Sequence, residues 1–82
     1  MMAKYRHIGR VYFPKDEFDY LLDALMPETG EIRRCSVHWE ASPPGGALVI
    51  RAEDIHSLRA ALNSYMRWAN VALGVFHRYR RS

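Results

Sequence analysis

Four histidines, one cysteine and nine acidic residues are the groups in this 82-residue chain with the chemistry to bind a metal or move a proton. Their spacing brings none of them together. His7, His38, His56 and His77 fall on different expected elements, and no two show the same-face spacing of metal ligands. The single Cys35 excludes a disulfide framework, and any cysteine-based zinc cluster within one chain. It lies on the inward face of an expected strand beside Val37 and Trp39, where a free cysteine acts as a small hydrophobe unless its pKa is lowered. Ser57 and Ser64 sit on a helix with no nucleophile elbow, and His56 projects about 100° away from Ser57. Asp16, Asp19 and Asp23 could resemble a carboxylate cluster, but a solvated acidic face is the commoner meaning of that spacing. Gly45-Gly46 follows two prolines and lacks the lysine and helix start of a phosphate-binding loop. The residues point away from direct catalysis and imply neither a metal nor a cofactor.

What they carry instead is apolar surface. A periodic pattern runs from Ile55 to about Tyr79 with no proline inside it. At 1.5 Å per residue that is roughly 37 Å of helix, whereas a compact domain of this length is about 30 Å across. On a helical wheel, Leu58, Leu62, Tyr65, Met66, Ala69, Ala72, Leu73 and Phe76 fill one arc with Ile55. A second arc carries Ser57, Ala61, Ser64, Trp68, Val71, Val75 and Tyr79, and Arg59, Asn63, Arg67, Asn70 and His77 occupy the remainder. One sheet can cover the first arc; the second needs another helix or another chain.

Ser57, Ala61, Ser64, Trp68, Val71 and Val75 are therefore the candidate partner interface. Trp68 is either an aromatic anchor in a protein contact, where tryptophan is enriched, or packs against the first helix of the same chain. The small residues beside it would let a foreign helix approach closely. The polar stripe Arg59, Asn63, Arg67 and Asn70 has three readings: a solvated side, a set of contacts to a partner's acids, or contacts to RNA phosphates. Asparagine is a mediocre helix former, and two of them beside two arginines fit hydrogen-bonded recognition better than casual solvation.

Charge is unevenly placed. Residues 1–41 hold six Lys/Arg and seven Asp/Glu, whereas residues 42–82 hold six Arg against only Glu53 and Asp54. Much of the excess lies in His77-Arg78-Tyr79-Arg80-Arg81. That tail could touch RNA weakly, or simply favour the dipole of a helix C-terminus and solubilise its end. The start, Met1 to Arg6, lacks the apolar stretch of a signal peptide. No run reaches the 18 or more apolar residues of a membrane span. A cytoplasmic, soluble chain is expected.

The positioning elements follow from pattern. Lys4 to Phe13 alternates as a strand, with Tyr5, His7, Gly9, Val11 and Phe13 on one face and Lys4, Arg6, Ile8, Arg10 and Tyr12 on the other, wet one. Pro14, Asp16 and Glu17 open a helix whose stripe is Phe18, Leu21, Leu22 and Leu25, ending at Pro27 and Gly30. Arg34 to Ala41 and Ala47 to Ala52 make a hairpin across Ser42-Pro43-Pro44-Gly45-Gly46, and Asp54 caps the long helix. The expected fold is α+β: residues 1–82 form a single domain of order β-α-β-β-α, a two-layer sandwich with a three-stranded antiparallel sheet and both helices on one face. Its edge strands lack prolines, so edge-to-edge pairing of two copies is physically open.

Ala52-Glu53-Asp54, then Ser57-Leu58-Arg59-Ala60 and Asn63-Ser64-Tyr65-Met66-Arg67-Trp68, resemble the helix signature of the Pcc family, the small subunit of the KEOPS (EKC) complex. Met66 stands where that signature has leucine. The element order, the length and the Phe13-Pro14 junction are similar too. The loop from Pro27 to Glu31, the Pro-Pro-Gly-Gly hairpin and the basic tail depart from it. The resemblance implies a non-catalytic subunit that dimerises and docks its helices on the catalytic subunit transferring threonylcarbamoyl to an adenosine beside the tRNA anticodon. It also implies that metal and nucleotide belong to partners and that contact with tRNA is indirect or weak. Paralogues that form heterodimers leave a homodimer or a heterodimer open, and the compact length suggests an archaeal source. A small basic RNA-binding module is the alternative.

Overall fold

The alternation of His7–Phe13 becomes a strand, β1, whose odd-numbered side chains are the more buried ones. In the computed structural model, which describes residues 5–25, 30–32 and 34–81, it is followed by helix α1 (Lys15–Leu25), a short strand β2 (Gly30–Ile32), strands β3 (Cys35–Ser42) and β4 (Gly45–Ala52), and helix α2 (Ile55–Arg81). The sheet is antiparallel with order β1-β4-β3-β2. The three expected strands thus lie together with β4 in the middle. β2 adds a three-residue edge beside Cys35 to Val37, in a stretch too short to show a period of two. The expected helix stop at Pro27 lies outside the described residues.

Helix α1 starts where its first N–H groups find acceptors. The Pro14 carbonyl accepts from Phe18 N–H at 2.8 Å, and the Asp16 carboxylate accepts from Glu17 N–H at 2.9 Å. The apolar stripe then turns Phe18 and Leu21 into the core. At α2, Asp54 is the N-cap: its Oδ1 accepts from Ser57 N–H at 2.7 Å and its backbone carbonyl accepts from Leu58 N–H. Arg34, in the left-handed region at φ 54°, ties the β2–β3 turn to this cap. Its carbonyl accepts from Glu53 N–H, and its guanidinium lies 3.3 Å from the Asp54 carboxylate.

Both helices pack on the same face of the sheet, so Leu21, Val37, Leu48 and Ile50 are fully enclosed. Burial of this completeness is worth about 1.5–3 kcal/mol per side chain. Helix α2 comes close to β1 because Gly9 has no side chain: a Cβ there would stand 3.3 Å from Leu58 and Leu62. Helix α1 comes close to β4 at Gly46, where a Cβ would overlap the ring of Phe18. Phe18 is held in turn by Trp39, 5.8 Å away edge to face, and Trp39 by Phe13. Ala41, which continues the Cys35, Val37, Trp39 alternation, is exposed at the hairpin end.

At 27 residues, α2 is about 40 Å long, and the molecule measures 50 × 24 × 18 Å. Among the described residues, no helix is long and apolar enough to cross a membrane.

Candidate partner-docking surface

Helix α1 covers only part of α2. Tyr20 meets Phe76 with ring centroids 4.8 Å apart, and Glu17 Oε2 lies 3.1 Å from His77 Nε2. These contacts place α1 against the C-terminal half of α2. Along the N-terminal half, the first arc faces the sheet: Leu58, Tyr65 and Ala69 are buried and Leu62 packs against them. Ile55, counted in that arc, is exposed at the helix start.

The second arc is only partly covered among the described residues: Ser57, Ala61 and Val75 are half-buried, whereas Ser64, Trp68 and Val71 are exposed. Trp68 is 40% exposed and Val71 66% exposed. Trp68 stacks edge-on against Tyr65, 5.1 Å between centroids. Between this arc and the inner face of β3 runs a groove of ≈ 440 Å³. Its helix wall is built by Ser57, Ala61, Ser64 and Trp68, its floor by Cys35 and Val37. The opening exists because serine and alanine are short; Trp68 closes one end.

Of the residues expected at an interface, the structure gathers Ser57, Ala61, Ser64 and Trp68 round this groove. Val71 and Val75 continue the same arc beyond it. Arg59, Asn63, Arg67 and Asn70 are exposed on a separate face of α2 and do not line it. His56 and Ala60 also reach the rim. They sit one helical turn apart, and Ala60 extends the small-residue wall beside Ala61 while the His56 ring borders its N-terminal end. The β3 floor was legible only as core.

The groove has no nucleophile ready for use. Burial pushes the Cys35 thiol up, and the nearby Asp54 and Glu53 carboxylates push it further. The thiol therefore stays protonated, with Sγ 3.5 Å from the Ser57 carbonyl that it donates to. Three of the other groups singled out by chemistry are engaged locally. Asp19 pairs with Lys15 at 2.8 Å, His77 with Glu17, and His38 with Glu40 on the far side of the sheet at 3.0 Å. Among the described residues, no three His, Cys, Asp or Glu side chains come together as a metal site. The arrangement offers shape and apolar surface to another polypeptide.

A family model described as "Transcription factor Pcc1" matches residues 9–77. No curated protein and no solved structure matches the chain.

Proposed function

The chain belongs to the Pcc1 family, a family of non-catalytic KEOPS subunits, and from that premise we propose that it is the dimerisation and scaffold subunit of a KEOPS complex. In this reading α2 docks on the catalytic threonylcarbamoyl-transferase subunit and supports formation of N6-threonylcarbamoyladenosine in tRNA, in the cytoplasm, without catalysis by this chain. The partly exposed second arc of α2 carries the proposal. An exposed tryptophan over a groove walled by small residues suits insertion of a partner's apolar side chains or helix, because a close-packed, desolvated aromatic anchor dominates such contacts.

Self-association uses a different part of the molecule. β2 ends one side of the sheet with three residues, whereas β1 leaves seven residues of backbone unpaired at the other. Short edge strands are protected and long ones are templates, so two copies join through β1. Docking and pairing then occupy opposite sides of the domain, and one dimer bridges two catalytic subunits.

The test is co-expression with a catalytic KEOPS subunit followed by mass measurement of the purified complex. Two copies of this chain per complex are expected. Elution of the chain alone overturns docking, and a single copy per complex means that a paralogue supplies the second half of the dimer.

A further inference from the structure

The face of the sheet turned away from both helices has its own chemistry. Arg6, Ile8, Arg10 and Tyr12 follow one another along β1 and its approach. Arg51 stands beside Ile8 on β4, and His38 and Glu40 complete the rungs on β3. Among the side chains described there, three arginines face one acid. Tyr12 is 65% exposed and Ile8 48% exposed, while Val49 at the centre is wholly covered. A valine on an open sheet face is hidden only if long side chains lie across it, and Arg10, His38 and Arg51 surround it in register.

Glu40 is already committed. Its Oε2 lies 3.0 Å from His38 Nε2, and Arg51 Nη1 lies 3.4 Å from His38 Nδ1. Arg51 Nη1 lies equally close to Nε2, at 3.3 Å; because a carboxylate only accepts, Nε2 carries the proton donated to Glu40 and Nδ1 is the ring acceptor left for Arg51. The hydrogen bond from His38 holds the Glu40 carboxyl below its usual range, with Arg10 and Arg51 adding to the effect. Beyond the pull of Arg10 on Glu40, no side-chain hydrogen bond or ion pair engages the guanidinium of Arg6 or Arg10 among the described residues.

We infer that this outer face binds a single-stranded RNA segment, with Arg6, Arg10 and Arg51 against phosphates and a base stacked on Tyr12. A polyanion matches the excess of cations, and its binding releases counterions. An exposed aromatic on an open sheet gives any base a stacking platform, which a duplex with paired, stacked bases cannot use. A second copy of this chain laid face to face would instead oppose arginine to arginine. The face lies across the sheet from the α2 groove, so the inference stands apart from docking.

The test is fluorescence anisotropy of a labelled twelve-nucleotide oligouridylate titrated with the full chain at several salt concentrations. The variants are Arg6→Gln/Arg10→Gln, which keeps a side-chain stem at position 10 beside Val49, Tyr12→Ala, and Arg59→Gln/Arg67→Gln. The sheet arginine pair should lose tenfold or more at low salt and reduce the slope of log affinity against log salt by about 1.4, near 0.7 per phosphate contact. Tyr12→Ala should lose about tenfold with the slope unchanged, and the helix pair should bind as wild type. No salt-dependent binding by the wild type overturns the inference. So does loss confined to the helix pair, or a dimer that becomes monomer on Tyr12→Ala, which would give this face to a second copy.

Discussion

The ring of Trp68 stands edge-on to that of Tyr65 at an interplanar angle of 72°, yet Tyr65 is 3% exposed and Trp68 is 40% exposed. One ring closes the core and the other rests on it from outside. They stand three positions apart on the helix, enough to carry the side chain from the sheet-facing arc to the more exposed second arc.

That relationship makes the fold indifferent to changes that the proposed interface cannot tolerate. Ala61→Arg should leave circular dichroism near wild type and abolish co-purification with a catalytic subunit, because burying an unpaired guanidinium costs several kcal/mol. Trp68→Ala should also lose the partner while costing the isolated domain no more than about 1.5 kcal/mol, the worth of an aromatic pair. Binding that survives Ala61→Arg would assign the docking face elsewhere on the helix.

Arg67 is exposed and lies outside the groove. If its stripe meets a partner's acids, Arg67→Ala weakens complex formation while the unfolding free energy moves by less than about 0.5 kcal/mol. Ready unfolding of the variant, measured by thermal melting, would make Arg67 structural instead.

Gly46→Ala should destabilise the domain by about 1–3 kcal/mol. The added methyl overlaps the ring of Phe18, and Phe18 cannot retreat because Trp39 packs edge-on against it. Urea unfolding reads the effect directly. A variant as stable as wild type would show that α1 can slide.

Asp54 sets a pH dependence. The hydrogen bond from Ser57 N–H, then that from the Ser57 hydroxyl, then Arg34, hold its carboxyl below the ordinary value. A carboxyl depressed in the folded state adds stability above its unfolded pKa, and that stability is lost as pH falls through the folded value. Asp54→Ala should therefore melt lower than wild type at neutral pH, and the gap should begin to narrow below about pH 4 and go on narrowing as pH falls further. A gap unchanged at pH 3 would mean that the cap acts by shape and not by charge.

Local pattern alone determined most of the architecture. Alternation in His7 to Phe13 and in Cys35 to Ala41, the apolar stripe of α1, the Pro-Gly turn and the Asp54 cap are each readable over a few residues, because periods of 2 and 3.6 and N-cap chemistry act at short range. The same wheel separated the three faces of α2. Residues 30–32 gave no such signal, because three residues cannot show a period and their strand exists only through pairing with Cys35 to Val37. Which helix faces stay open was likewise a tertiary outcome. Gly9 lets α2 approach β1, Gly46 seats α1 on β4, Tyr20 takes Phe76 as its partner, and Trp68 is left 40% exposed. Contacts between residues far apart in sequence fix where one element stops covering another. The groove over β3, and the cationic outer face assembled from β1, β3 and β4, therefore appear only once the chain has closed on itself.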